Sequence, residues 1–163
     1  MTSFRVVPLK EEHARQILLW RYPPPYDFYD PPEEGDPEYY VSEFLNPTLR
    51  FHAVLDELGR FIGFCSFGLD GQVPGGNYAR DALDIGVGMK PEFTGAGLGA
   101  RFFEAILQHA AQDPGVQRFR VTVANFNKRA MTLYRKFDFR KCDEFEDARH
   151  GVPYTIMIRD GRV

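Results

Sequence analysis

Two periodicities alternate along the chain, and together they predict a mixed sheet with helices between its strands. Phe4–Val7 is short, β-branched and halted by Pro8, so it predicts a first strand. Glu11–Trp20 carries Ala14, Ile17 and Leu18 on one side at helical spacing, behind acidic residues suited to a helix start. Glu38–Phe44 predicts a short second helix closed by Asn46-Pro47. The runs Arg50–Asp56 and Arg60–Gly68 flank Glu57-Leu58-Gly59 and predict a hairpin. Ala82–Met89 is an apolar strand, and Gly97–Gln112 a helix in which Leu98, Phe102, Ile106 and Ala110 line one face with Phe103 and Leu107 beside them. Arg118–Val123 alternates polar and apolar positions, which makes the pair of strands around that helix parallel with a right-handed crossover. Asn127–Lys136 predicts a last helix with Ala130, Leu133 and Phe137 on one side, and Arg140–Glu146 and Pro153–Arg159 predict two closing strands. The sum is an α+β fold with a mixed sheet of about seven strands, about four helices and one parallel crossover.

Two stretches break the pattern. Tyr22–Pro37 holds six prolines and four aromatics among acids, which disfavours helix and ladder alike. Linkers of that composition usually lack aromatics, so the stretch reads as an ordered loop that either walls a binding site or plugs a gap in the core. Leu69–Arg80, with Gly71, Pro74, Gly75, Gly76 and Asn77, reads as a second loop.

Composition narrows the class. The chain has 163 residues, 44% of them hydrophobic, which fits one compact domain over residues 1–163. A net charge of −3 with scattered cations lacks the footprint of a nucleic-acid binder. Two cysteines, Cys65 and Cys142, without ligand spacing suggest neither a disulfide framework nor a metal site, and fit a reducing cytoplasm. No apolar run is long enough to span a membrane, so none is expected as a partner.

Candidate chemistry concentrates between Ala82 and Ala110, where a strand, a turn and the alternate glycines Gly95, Gly97 and Gly99 lead into a helix. Bare backbone at the start of a helix is suited to an anion. A triphosphate loop is excluded, because no Lys-Ser or Lys-Thr follows the glycines. The dinucleotide fingerprint starts at the strand end and wants an acid at the tip of the next strand; here Lys90–Thr94 intervene and the next strand runs into Ala124-Asn125. The remaining possibilities are a packing turn and a pyrophosphate cradle of another kind.

The segment Pro91–Gly99, and within it Thr94-Gly95-Ala96-Gly97-Leu98-Gly99, resembles the acyl-CoA-binding motif of the GNAT family of N-acetyltransferases. A second stretch, from Asn127-Lys128-Arg129-Ala130 through Leu133-Tyr134 to Phe139, resembles the helix that follows it in that family. The order of elements is similar as well, so the resemblance covers nearly the whole chain. It departs from the family pattern at Thr94, where the family has Arg or Gln, and at Asp138, which stands for a glycine where left-handed backbone is common.

The resemblance implies a GNAT-like, mostly antiparallel sheet and an acetyl-CoA-dependent N-acetyltransferase that acts on a primary amine by direct attack in a ternary complex. It implies that Thr94, Gly95, Ala96, Gly97, Leu98 and Gly99 hold the pyrophosphate. Val87, Gly88 and Met89 would line the pantetheine arm and thioester, with Asn127 on the cofactor arm or capping its own helix. Gly86 and Gly88 alternate with Val87 and Met89, which favours a bulge or a close approach of ligand. Tyr134 would protonate the departing thiolate. Thr122 stands where some members carry a glutamate base and cannot serve, which leaves Asp84 as the carboxylate on the central strand. His52 and His109 read as surface or core histidines, and Cys65 as packing. The aromatic and acidic residues of Tyr22–Pro37, with Glu33, Glu34 and Asp36, suit a cationic amine. A chain of this kind is expected as a monomer or homodimer. The alternative is a non-catalytic acyl-CoA-binding sensor or interaction domain that keeps the cradle without turnover.

Overall fold

The computed structural model describes residues 3–161. Seven strands form one mostly antiparallel sheet: β1 Arg5–Pro8, β2 Phe51–Leu55, β3 Phe61–Phe67, β4 Leu83–Met89, β5 Arg118–Ala124, β6 Arg140–Glu146 and β7 Pro153–Asp160, in the order β1-β2-β3-β4-β5-β7-β6. Four α-helices accompany them: α1 Glu11–Ile17, α2 Pro37–Phe44, α3 Gly99–Ala110 and α4 Lys128–Lys136. β4 and β5 are parallel, as the crossover through α3 predicts. The chain resolves into two compact units, Met1–Cys65 with Val87–Ile106 and Ser66–Gly86 with Leu107–Val163.

In the first unit, Leu9, Ala14, Ile17, Trp20, Val41, Ala53 and Phe61 form a buried cluster. Trp20 stacks on Phe64 at 5.9 Å and tilts against Phe61 at 5.5 Å. α1 ends three residues earlier than its apolar pattern predicts. The bonds Leu19 N–H to Gln16 O and Trp20 N–H to Ile17 O, both 3.0 Å, tighten the last turn, and this brings Trp20 into the core while Leu19 stays exposed. α2 is opened by Asp36, whose side chain accepts from the Glu38 N–H, with Pro37 at the first helical position. On β3, the Phe102 ring of α3 stands 2.6 Å from where a Cβ on Gly63 would be, so only glycine lets the helix pack this close.

In the second unit, β7 pairs with β5 from Arg118–Asp160 to Ala124–Tyr154 and with β6 across a register shift between Lys141 and Asp143. Phe119, Val121, Phe139, Ile156 and Met157 are fully buried, each contributing about 1.5–3 kcal/mol of apolar burial. α4 buries Met131 and Tyr134 and is followed, after its C-cap Phe137, by Asp138, whose φ of 68° is the left-handed turn expected there. Arg159 satisfies the Phe137 carbonyl at 3.0 Å.

Candidate active site

The glycine stretch takes the form its spacing suggests, displaced by two residues. A short 3₁₀ turn, Pro91–Phe93, follows β4, and Gly95 and Gly97 then adopt left-handed backbone at φ 73° and 77°. No atom lies within 4 Å of where a Cβ on either would sit. A residue in that conformation cannot continue a right-handed helix, so α3 begins at Gly99 rather than Gly97. Gly95, Ala96 and Gly97 are exposed, and the first-turn N–H groups of α3 follow directly. The loop therefore offers open, bare backbone with the positive end of a helix behind it.

The Thr94 hydroxyl does not join this surface. It donates to the Pro91 carbonyl at 2.7 Å, closing the 3₁₀ turn. Its proton is thus engaged inside the loop.

β4 carries the remaining predicted cofactor residues, all half-buried at Val87, Gly88 and Met89. The Met89 carbonyl accepts from the Tyr22 hydroxyl at 2.5 Å, and Lys90 N–H donates to Ile62 O at 2.9 Å, so the strand end is fixed on both sides. Burial pushes the Tyr22 phenol up, with Asp30 adding to the shift. Tyr22 N–H also donates to Asp30 Oδ1 at 2.8 Å, and the loop turns through a 3₁₀ segment at Tyr26–Tyr29. Tyr22–Pro37 is therefore ordered and anchored, with Phe28 and Tyr29 presented to solvent. The glycines of β4 make room for neighbours on β3: the Phe64 ring fills the side-chain position of Gly88, and Ser66 Oγ lies 2.6 Å from that of Gly86.

Asp84, the predicted base, is held otherwise. Its Oδ1 accepts from Arg120 Nε at 2.6 Å, and its Oδ2 from Arg120 Nη2 at 2.7 Å and Gln72 Nε2 at 2.9 Å, with both side chains of the pair buried. Both oxygens are engaged by a guanidinium, and the hydrogen bonds to Asp84 raise the Arg120 pKa against the opposing effect of burial. The geometry makes Asp84 a fixed anion that anchors β4 to β5, not an open proton acceptor. Arg120 also lies under the Tyr78 ring at 4.9 Å, and the Tyr78 hydroxyl shares a 2.8 Å hydrogen bond with Thr122 Oγ1.

On α4, Asn127 accepts from Ala130 N–H at 3.1 Å and so caps its own helix. Tyr134 is buried, its ring 6.1 Å from that of Phe139. His109 stacks on Phe67, His52 bonds the Arg50 carbonyl, and Cys65 is fully buried, which pushes its thiol up. One carboxylate within the predicted loop escaped notice in the sequence: Asp70, whose Oδ2 accepts from Ser66 Oγ at 3.2 Å beside Gly86. Its signal was the pair Gly68 and Gly71, which forces a single tight turn around it.

A separate open groove of about 450 Å³ in the first unit is lined by Glu12, His13, Arg60, Lys90, Glu92 and Phe93. It holds balanced charge and none of the predicted site residues. Among the described residues no group of three or more His, Cys, Asp or Glu could hold a metal ion, and no helix is long and apolar enough to cross a membrane.

A pig thialysine N-ε-acetyltransferase is 34% identical over 58 residues, covering 36% of this chain and 34% of that protein, so the match spans about a third of the relative's length. Aminoglycoside acetyltransferase AAC(6')-Ib, solved with coenzyme A, superposes with a TM-score of 0.73 at 15% identity, covering 97% of this chain and 95% of the other. A mutant spermidine N-acetyltransferase from Vibrio cholerae gives 0.67 at 18% identity, covering 98% and 93%. At these identities the superpositions establish a shared fold. The family description "Acetyltransferase (GNAT) family" matches residues 12–139, which span both glycine cradle and α4, and the chain belongs to that family.

Proposed function

We propose that residues 1–163 act as one acyltransferase domain that moves an acetyl group from acetyl-CoA to a primary amine by direct attack in a ternary complex. The observation that carries this reading is the pair of left-handed glycines, Gly95 and Gly97, open to solvent at the start of α3. A side chain at either would be strained by the positive φ and would stand over the backbone, so the loop suits a ligand that approaches bare backbone and carries negative charge, as a pyrophosphate does. Backbone from Gly95 through Ala96, Gly97 and Leu98 to Gly99 holds that group, and Thr94 shapes the loop. Val87, Gly88 and Met89 follow the pantetheine arm, and Asn127 assists from the start of α4. AAC(6')-Ib has also been solved with paromomycin and acetyl-CoA, which supports the choice of donor.

In the reaction, the neutral amine attacks the thioester carbon and the C–S bond breaks. Tyr134 gives its proton to the departing thiolate and recovers one from the nitrogen, which becomes the amide. The acceptor is cationic before it reacts: the exposed rings of Phe28 and Tyr29 and the carboxylates Glu33, Glu34 and Asp36 supply an aromatic, acidic surface. The relatives named for spermidine, aminoglycosides and thialysine support an amine acceptor.

The test is release of CoA thiol across a panel of primary amines, some cationic and some carrying a carboxylate. Turnover that favours cationic amines is expected. Tight acetyl-CoA binding with no release from any amine would overturn the reading in favour of a non-catalytic acyl-CoA-binding module.

A further inference from the structure

The turn between β3 and β4 holds a carboxylate that meets a side-chain hydroxyl rather than a cation. Leu69–Gly71 is a single 3₁₀ turn, fixed by Gly71 N–H to Gly68 O and Gln72 N–H to Leu69 O at 3.0 Å each. It is fastened to β4 twice: Gly68 N–H donates to Asp84 O at 2.8 Å, and Gln72 Nε2 to Asp84 Oδ2 at 2.9 Å. Its middle residue, Asp70, lies at the surface with its carboxyl tip turned in toward Ser66. Asp56 is paired with Arg60 and Asp84 with Arg120, whereas Asp70 has the Ser66 hydroxyl at 3.2 Å and, among the described residues, no cation.

Gly86 lets this pair rest on the strand. A Cβ there would stand 2.6 Å from Ser66 Oγ and 3.5 Å from Asp70 Oδ2. Gly86 directly precedes Val87, the first of the three residues assigned above to the pantetheine arm and thioester. A carboxylate on a tight turn, oriented by one neutral donor and lying over the bare backbone of Gly86, has the properties of a positioned proton acceptor.

We propose that Asp70 is the general base of the acetyl transfer, taking a proton from the acceptor ammonium while Ser66 orients its carboxylate. The inference rests on the acetyltransferase reading. The proton passes from nitrogen to the free carboxylate oxygen, the neutral amine forms the C–N bond as the C–S bond breaks, and the protonated Asp70 returns its proton to water. Loss of solvent at the carboxyl tip pushes its pKa up, opposed by the Ser66 hydrogen bond. The charged groups on the strands packed against the turn, Asp84 on β4 and Arg120 on β5, neutralise one another.

The experiment is the pH profile of kcat/KM with a cationic amine for the parent and for Asp70→Asn, with acetyl-CoA affinity measured by calorimetry in both. Equal affinity shows that the variant is folded. The variant is expected to lose about 100-fold near neutrality, and to recover as pH approaches the pKa of the amine, because the substrate then arrives neutral. A second variant, Gly86→Ala, pushes a methyl into Ser66 Oγ; it is expected to lower kcat/KM in the parent and to add little in the Asp70→Asn background. An active parent with an Asp70→Asn profile parallel to its own at every pH overturns Asp70 alone. A parent that releases no CoA from any amine overturns the acetyltransferase reading and Asp70 with it.

Discussion

The Tyr22 hydroxyl donates to the main-chain carbonyl of Met89 over 2.5 Å, tying the first residue of the proline-rich loop to the last residue of β4. The loop and the strand therefore cannot move independently. Tyr22→Phe removes the donor and leaves a partly buried carbonyl without it, at a cost of about 1–3 kcal/mol. The variant is expected to raise the KM for acetyl-CoA roughly fivefold, as loss of about 1 kcal/mol of positioning would. Steady-state kinetics against both substrates checks this; an unchanged KM for acetyl-CoA means that the tie does not support the strand.

Tyr134 is buried on α4, and phenylalanine keeps its ring. If its hydroxyl is the acid, Tyr134→Phe lowers kcat by about 10²- to 10⁴-fold with little change in acetyl-CoA affinity or melting temperature. A wild-type kcat in the variant removes Tyr134 from the chemistry.

The Asp84–Arg120 pair is buried at both ends, with side chains 4% and 3% exposed. Breaking it from either side leaves an uncompensated charge, so Asp84→Asn and Arg120→Met should each lose roughly 3–5 kcal/mol in denaturant unfolding. The double variant should lose much less than the sum. Additive losses would show that the pair is not a coupled unit.

His13 is buried, and its Nδ1 accepts from Lys10 N–H at 3.1 Å at the start of α1. Burial lowers its pKa from the usual 6.5, with Lys10 lowering and Glu12 raising it. A histidine depressed in the folded state contributes stability above its unfolded pKa and loses it as pH falls through the lower folded value. The parent should therefore destabilise more steeply than His13→Gln on acidification below about pH 6. His52, also lowered chiefly by burial, is common to both proteins and cancels in the comparison. Parallel stability curves for the two proteins would contradict this.

Most elements were legible in the chain because their periods were clean. The βαβ unit through α3 and the paired β2 and β3 around Glu57-Leu58-Gly59 both follow from such patterns. Even the left-handed residue after α4 was readable, from Asp138 standing in a glycine position. What the chain did not disclose were relationships that depend on which side chain reaches which partner. α1 ends at Ile17 because the closing turn tightens to bury Trp20, a tertiary demand that outweighs a helical pattern continuing to Trp20. Asp84 read as a base because nothing in sequence places Arg120 opposite it; only the parallel register, Asp84 with Arg120, does so. Gly86 and Gly88 read as a bulge or a close approach of ligand, and nothing in the sequence shows that their side-chain positions face Ser66 and Phe64 of β3.

Gly63 has no functional group, yet it governs one end of the cradle. Phe102 presses into the space its missing methyl leaves, and α3 begins only three residues before Phe102, at Gly99. The depth at which this helix seats on β3 is thus set by an absence, and with it the height of the N–H groups of its first turn. Substitution there would shift the start of the helix without touching any atom of the loop, which makes an inert position in one strand a determinant of geometry in another segment of the chain.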